Sequence, residues 1–369
     1  MEKNKFRKKS NSDTSSLNQG EVDSQNEIST NQTVSIKMEE VMKFRSQSKN
    51  EKKYSSFGIK SPTSFLLGME GYGLQLLENE QEIFSGELPS PQAAQSILVD
   101  IIYVDHLDCY LIYQDEKIYR KDINSQPCYF LMNAKISFRK GVSLRYSRQN
   151  RRLIVTKDSK HISVIDLDRK RFEMILEESL GYINDYRVFG ENENKIISLT
   201  VDGYIGLHIL SYSLKKVCFR TQVKVELKDH ILECATSIAV SKKNDYAIVG
   251  LDSNDFGACF SSRMIIYKIE ENRLSIRATL DRLAERMRDI SALDCCGYFA
   301  GHLLWIGLSL DLNGIVHIFD YDVSERELKE QKELRVSHKE IDPLMIRPIQ
   351  NSLYYCGRRG ILMKLTVKI

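Results

Sequence analysis

The chain has 369 residues, of which 42% are apolar and 28% are charged, a composition that can bury a large core in a soluble protein. No apolar run approaches the roughly 18 residues that a membrane helix needs, so we expect no membrane contact. The net charge of +3 comes from residues 1–53, which hold 11 Lys or Arg and 8 Asp or Glu. The remainder is neutral and has no overall field that would attract nucleic acid.

Residues 1–53 are rich in Ser, Asn, Gln, Lys and Glu. Such a segment cannot bury enough apolar surface to offset the entropy lost on ordering, so we expect it to be mostly disordered. One part differs, because Val34, Met38, Val41 and Met42 recur at a helical spacing. This part is predicted either as a short helix or as a strand that joins the folded body.

Short apolar runs rich in β-branched and aromatic residues begin at about Tyr54 and predict β-strands. One strand recurs in each of seven units, at residues 73–78, 118–122, 162–166, 205–210, 264–268, 316–320 and 361–366. The ends of these strands are 44, 44, 44, 58, 52 and 46 residues apart. A period of roughly 40–45 residues is typical of a β-propeller blade. We therefore predict an all-β protein with a disordered tail over residues 1–53 and a seven-bladed β-propeller over residues 54–369.

Several units resemble repeats of the WD-repeat family. Residues 312–320 resemble that family's turn, third strand and closing Trp-Asp pair, with Phe319 in place of Trp. The same turn and strand recur at residues 157–167 and 200–208, and His338 resembles the histidine that starts a blade. The resemblance covers the whole predicted propeller and implies a WD-repeat-like ring of blades.

The last unit ends after its third strand, so a seven-bladed ring needs a fourth strand from elsewhere in the chain. A strand within residues 34–45 would supply it and would cover an exposed sheet edge. This is the second of the two interpretations of that segment.

Motifs of enzymes and metal sites are scarce in this sequence. None of the eight cysteines forms a C-x-x-C pair, and no H-E-x-x-H, P-loop or G-x-S-x-G motif occurs. We therefore expect reduced structural thiols, no metal ligand, no cofactor and no catalytic residue. The most concentrated acid–base group, Asp105-His106-Leu107-Asp108, fits a polar turn better than a catalytic centre, which would need a nucleophile or metal beside it.

Six cations fall in two turns of the third unit. They are Arg148, Arg151, Arg152, Arg169, Lys170 and Arg171. Because neighbouring strands run in opposite directions, we expect both turns on one face, with Asp168 as the one acid among these cations. Such a cluster suits phosphate groups or an acidic protein surface. The alternative is a pair of solvated hairpin turns.

Residues 280–290 carry apolar side chains at a helical spacing, which predicts a short helix. We expect this helix, and the extra residues of the fifth unit near positions 252–263, on the face opposite to the basic turns. Insertions on one face often form a binding surface, so Leu283, Arg286 and Met287 are candidate partner contacts. The alternative is a helix that packs on the rim without a partner.

The family resemblance implies a non-enzymatic scaffold that binds other proteins as a subunit or adaptor of a larger assembly. The cysteine usage and the lack of an apolar leader predict the cytoplasm, with the nucleus as the alternative. Two other functions stay open. One is a propeller enzyme of the hydrolase type with a site at the channel mouth, and the other is a nucleic-acid-associated subunit that uses the basic turns.

Overall fold

The computed structural model shows a chain of strands joined by turns. It describes residues 35–43, 54–69, 73–79, 81–86, 98–125, 127–134, 144–157, 160–175, 181–213, 215–227, 233–241, 245–253, 260–271, 273–284, 290–299, 301–309, 315–335, 343–349, 352–357 and 361–368.

Within these residues, 28 strands form seven four-stranded antiparallel sheets. Sheet I contains β2 (Tyr54–Ser61), β3 (Ser64–Met69), β4 (Gly73–Glu78) and β5 (Gln81–Gly86). Sheet II contains β6 (Leu98–Val104), β7 (Cys109–Gln114), β8 (Lys117–Asp122) and β9 (Tyr129–Asn133). Sheet III contains β10 (Leu144–Ser147), β11 (Arg152–Lys157), β12 (His161–Asp166) and β13 (Arg171–Ile175).

The remaining four sheets have the same plan. Sheet IV contains β14 (Ile183–Phe189), β15 (Lys195–Thr200), β16 (Tyr204–Ser211) and β17 (Lys216–Lys224). Sheet V contains β18 (Glu233–Val240), β19 (Tyr246–Ser253), β20 (Phe260–Ile269) and β21 (Leu274–Ala284). Sheet VI contains β22 (Ile290–Phe299), β23 (His302–Ser309), β24 (Ile315–Asp322) and β25 (Glu327–Arg335). Sheet VII contains β26 (Pro343–Ile349), β27 (Ser352–Gly357), β28 (Ile361–Lys368) and β1 (Ser35–Lys43).

The repeated strand predicted in each unit is a strand of the structure in all seven sheets. These strands are β4, β8, β12, β16, β20, β24 and β28, each the third of its sheet in chain order. The all-β prediction is therefore confirmed. The signal is clearest where a strand is buried on both faces, as in β12, where every residue after His161 is buried.

The fourth strand of sheet VII comes from the N-terminal part of the chain. Strand β1 pairs antiparallel with β28, from Ser35 opposite Lys368 to Lys43 opposite Ile361. The strand interpretation of this segment is thus confirmed, and the helical one is wrong. The prediction of disorder over residues 1–53 needs correction for this strand, because its backbone forms a ladder with β28. The rest of residues 1–53 lies outside the described residues.

The helix predicted over residues 280–290 is wrong over residues 280–284, and residues 285–289 lie outside the described residues. Strand β21 continues to Ala284, which pairs with Phe260, and Leu280 pairs with Met264. Backbone pairing with β20 overrides the helical spacing, because a strand can satisfy its hydrogen bonds with any side-chain pattern that suits its two faces. Of the extra residues predicted as an insertion near 252–263, residues 252–253 belong to β19 and residues 260–263 to β20. Residues 254–259 lie outside the described residues.

Successive sheets pack on each other through apolar side chains. Clusters of buried residues join sheets I and II, II and III, III and IV, IV and V, and V and VI. The first strand of each sheet contacts the first strand of the next one, and β26 of sheet VII contacts β2 of sheet I. The seven sheets therefore follow one another, with the last in contact with the first.

Buried aspartates add polar links between first strands. Asp185 of β14 accepts hydrogen bonds from the backbone N–H groups of Tyr186 and of Ile238, which lies on β18 of the next sheet at 3.0 Å. Asp100 of β6 accepts one from Leu144 of β10 in the same way. Each aspartate follows a bulge in its strand, which leaves its carboxylate free to bond the neighbouring sheet.

We predict that β1 contributes measurably to stability. Deleting residues 1–43 leaves the edge of β28 unpaired, and we expect Tm to fall by roughly 5 °C or more, since each kcal/mol lost shifts Tm by about 2–4 °C in domains of about 150–250 residues. Thermal unfolding followed by circular dichroism measures this. Deleting residues 1–34 retains β1 and is the control, for which we expect a change of about 1 °C or less. Equal melting temperatures of the two truncated proteins would contradict the prediction.

Candidate functional site

The two basic turns of sheet III lie at the same end of that sheet. Ser147 pairs with Arg152, Arg152 pairs with Asp166, and Asp166 pairs with Arg171, so these residues form one row across the four strands. The turn at residues 148–151 precedes this row on β11, and the turn at residues 167–170 follows it on β12. The expected placement of both turns on one side thus agrees with the strand register.

Two of the predicted cations are engaged within the sheet. Arg152 contacts Asp166 at 3.1 Å and Glu173 at 2.6 Å, and its side chain is only 19% exposed. Arg169 also faces Asp166, at 3.7 Å, and donates its backbone N–H to that carboxylate. The expectation that Asp168 is the one acid among these cations is therefore wrong, because Asp166 and Glu173 also contact them. The expectation considered only the turns, whereas these two acids lie on the adjoining strands β12 and β13.

Arg148 connects the basic turns to the neighbouring sheet. Its Nε lies 3.2 Å from the carboxylate of Asp105, in the turn between β6 and β7 of sheet II. Asp105 also accepts a hydrogen bond from the Tyr146 hydroxyl at 2.8 Å. Together with burial, that bond raises the pKa of Tyr146 well above its ordinary value. The acid–base group at residues 105–108 therefore forms a structural turn, as its polar-turn interpretation predicts.

His106 completes this junction between sheets II and III. Its Nδ1 lies 2.6 Å from the Tyr146 hydroxyl oxygen, and the two rings stack with centroids 5.7 Å apart. Because the hydroxyl proton is donated to Asp105, Nδ1 carries the proton that is donated to Tyr146. Nε2 of the same ring faces the carboxylate of Asp168 at 3.7 Å. These contacts place the turn at residues 105–108 beside the turn at residues 167–170.

The turn at residues 148–151 is also fixed from its other side. Glu193, in the β14–β15 turn of sheet IV, accepts hydrogen bonds from the Ser147 hydroxyl at 2.9 Å and the Gln149 backbone N–H at 3.1 Å. The Asn150 side chain donates to the backbone carbonyl of Asn192 at 2.7 Å. Contacts to sheets II and IV thus hold this turn in a single position.

The other three predicted cations are exposed. Arg151, Lys170 and Arg171 have no acidic partner within the part of the chain that the structure describes. Arg151 and Lys170 also adopt positive φ angles of 52° each. Such a conformation costs a residue with a Cβ atom about 1–2 kcal/mol, and glycine would avoid that cost. A long basic side chain is therefore displayed at two positions where the backbone favours glycine.

The structure adds two lysines that the sequence interpretation missed. Lys215 and Lys216 occupy the β16–β17 turn of sheet IV, both exposed and both without an acidic partner among the described residues. They follow Lys170 and Arg171 by 45 residues, about one repeat, so the period itself could have identified them. The outer strands β13 and β17, which begin at these turns, contact each other.

We name the five exposed cations the basic turn surface. It comprises Arg151, Lys170, Arg171, Lys215 and Lys216, contributed by adjacent turns of sheets III and IV.

The candidate residues on the opposite side of sheet V do not form a described site. Leu283 belongs to strand β21, and its side chain lies outside the described residues. Arg286 and Met287 also lie outside them, as does His338. Leu283, Arg286 and Met287 therefore stay candidates that rest on the sequence alone.

Thiol and metal chemistry have little support in the described residues. Burial raises the pKa of Cys109 to about 12 and that of Cys128 to about 11, so both thiols are protonated at neutral pH and are poor nucleophiles. No group of three His, Cys, Asp or Glu side chains in the described part could hold a metal ion. Within the same residues, no helix is long and apolar enough to cross a membrane.

Comparison with known proteins gave no assignment. No protein-family model matches the chain, and no curated protein matches it.

His208 is a buried histidine on β16, beneath the basic turn surface in the same sheet. It is fully buried, and its Nε2 lies 2.9 Å from the Ser198 hydroxyl of β15. Burial disfavours the imidazolium ion and lowers the pKa of His208 to about 4. An exposed histidine of an unfolded chain has a pKa near 6.5.

We predict that His208 destabilises the protein in mild acid. Between pH 6.5 and pH 4 the unfolded chain binds this proton and the folded chain does not, so the free energy of unfolding falls as the pH falls. The full difference approaches about 3 kcal/mol below pH 4. Urea unfolding at a series of pH values measures it, and His208→Gln should remove most of this slope. His161→Gln, in a partly exposed position, is the control. An unchanged slope in His208→Gln would contradict the prediction.

Proposed function

We propose that the seven sheets are the blades of a β-propeller that resembles the WD-repeat family. Support comes from the seven four-stranded sheets, from the contacts between successive first strands, and from the contact between β26 and β2. The pairing of β1 with β28 supports the same interpretation, since it completes the last blade with a strand from the other end of the chain.

We propose further that this propeller is a scaffold that binds another protein through its basic turn surface. The single observation that carries the proposal is that five exposed cations lie on adjacent turns without acidic partners among the described residues. Charged side chains on the surface of a fold are usually interleaved with opposite charges, so such a group leaves an electrostatic potential that a partner can complement.

The rigidity of these turns supports the proposal. The turn at residues 148–151 is held by Asp105 on one side and by Glu193 on the other, at distances of 3.2 Å and 2.9 Å. A surface that is ordered before binding loses less entropy when a partner docks.

Two further features suit a protein partner in a reducing compartment. Tyr129 and Phe130, on the outer strand β9 of sheet II, are 49% and 55% exposed. Exposed aromatic side chains are enriched where proteins bind one another. Cys109 and Cys128 are free thiols, which agrees with a cytoplasmic or nuclear location.

We predict that charge reversal on this surface releases the protein from its native assembly. A variant with Arg171→Glu, Lys215→Glu and Lys216→Glu replaces attraction by repulsion, so the complex should dissociate in native size measurements at moderate salt. The wild type should elute well above 42.7 kDa, the mass of one chain. The matched control reverses three exposed cations of sheets V and VI, namely Arg273, Arg326 and Lys329.

Two outcomes would contradict this proposal. One is a wild-type protein that behaves as a lone monomer, and the other is a triple variant that stays in the complex as firmly as the control. Thermal unfolding of both variants checks that each is folded before the comparison is made.

A further inference from the structure

The basic turn surface has a shape and a charge pattern that restrict its ligand. Each of its five cations is exposed, and none is part of a buried cluster. The less exposed cation Arg152, which could have helped to enclose a single phosphate, instead forms ion pairs with Asp166 and Glu173. Arg148 is likewise paired with Asp105. Recognition here must therefore use several separated charges rather than one enclosed anion.

The separation of these charges follows from the packing of the sheets. Lys170 and Arg171 belong to sheet III, whereas Lys215 and Lys216 occupy the same position in sheet IV. Packed sheets lie about 10 Å apart, and an extended peptide in the polyproline II conformation advances about 3.1 Å per residue with about three residues per turn. Charges on neighbouring turns therefore match side chains about three residues apart, which lie on the same side of such a chain.

Acidic side chains between the cations favour one class of ligand. Asp168 and Glu191 are exposed in the turns of sheets III and IV. A nucleic acid presents a uniform row of phosphates, some of which would face these carboxylates at a cost in affinity. A polypeptide can place a neutral or basic residue opposite each carboxylate and an acidic residue opposite each cation.

We infer that the basic turn surface binds an extended acidic segment of the partner protein, in which carboxylates recur about every third residue. This inference rests on the proposed scaffold function and adds the chemistry of the partner. Exposed ion pairs are individually weak, so binding depends on several of them at once and falls as salt rises.

Synthetic peptides of equal composition test the spacing. One fluorescent peptide carries four Glu residues, each followed by two Ser, and the other carries the same residues with two adjacent Glu at each end and the eight Ser between them. Fluorescence anisotropy with the full chain at low salt should show at least about fivefold tighter binding of the spaced peptide, since only that peptide places carboxylates about three residues apart. Equal affinities would overturn the inference.

Variants and a second polymer test the location and the class of ligand. The variant with Arg171→Glu, Lys215→Glu and Lys216→Glu should bind the spaced peptide at least about tenfold more weakly. The control with Arg273, Arg326 and Lys329 reversed should bind it as the wild type does. A single-stranded oligonucleotide of twelve thymidines that binds more tightly than either peptide would overturn the inference in favour of nucleic acid.

The two proposals can fail separately. If the native complex dissociates in the triple variant but the spaced peptide does not bind the wild type, the scaffold function stands and the acidic segment is wrong. If the spaced peptide binds and the native protein is a lone monomer, the surface recognises acidic chains but the scaffold function is wrong.

Discussion

Sheets II to V each bury both of their faces against neighbouring sheets, and the rest of the structure depends on that constraint. In sheet III, Leu153 and Val155 pack towards sheet II, whereas Ile154 and Val164 pack towards sheet IV. A four-stranded sheet with two apolar faces cannot be stable alone, because either face would expose a large apolar area to water. Such a sheet needs a neighbour on each side, and a linear stack would leave two ends exposed. In the structure β26 of the last sheet contacts β2 of the first, and β1 pairs with β28 within the last sheet.

This arrangement restricts where the chain can interact with other molecules. Side chains along the strands are buried between sheets, so the turns at the sheet ends and the outer strands remain accessible. The turns are not independent of one another, since Asp105, Tyr146 and Arg148 join sheets II and III and Glu193 joins sheets III and IV. These contacts hold the turn at residues 148–151 between the neighbouring turns of sheets II and IV.

The sequence predicts strands such as β12 and β16 because burial on both faces places apolar side chains at both odd and even positions of the strand. β12 and β16 were identified in this way, and their repeat places Arg151 and Arg171 at one end of sheet III. Side-chain partners are harder to predict, since Glu173 reaches Arg152 across strands and no local pattern shows it. The segment that includes Leu280 fits either a helix or a strand by its apolar spacing. Only its pairing with β20, a contact distant in sequence, decides between them.

Comparison of equivalent turns in different sheets shows which features of the basic turn surface belong to the fold in general. Lys170, Lys215 and Arg326 occupy the last position of the third turn in sheets III, IV and VI, with φ angles of 52°, 51° and 56°. A basic residue with positive φ is thus a recurrent feature of the scaffold and is not by itself a sign of function. The surroundings differ, because Arg326 lies between Glu325 and Glu327, whereas Lys215 is followed by a second lysine. The scaffold alone does not require the local excess of positive charge on sheets III and IV, and this is why we propose that the partner binds there.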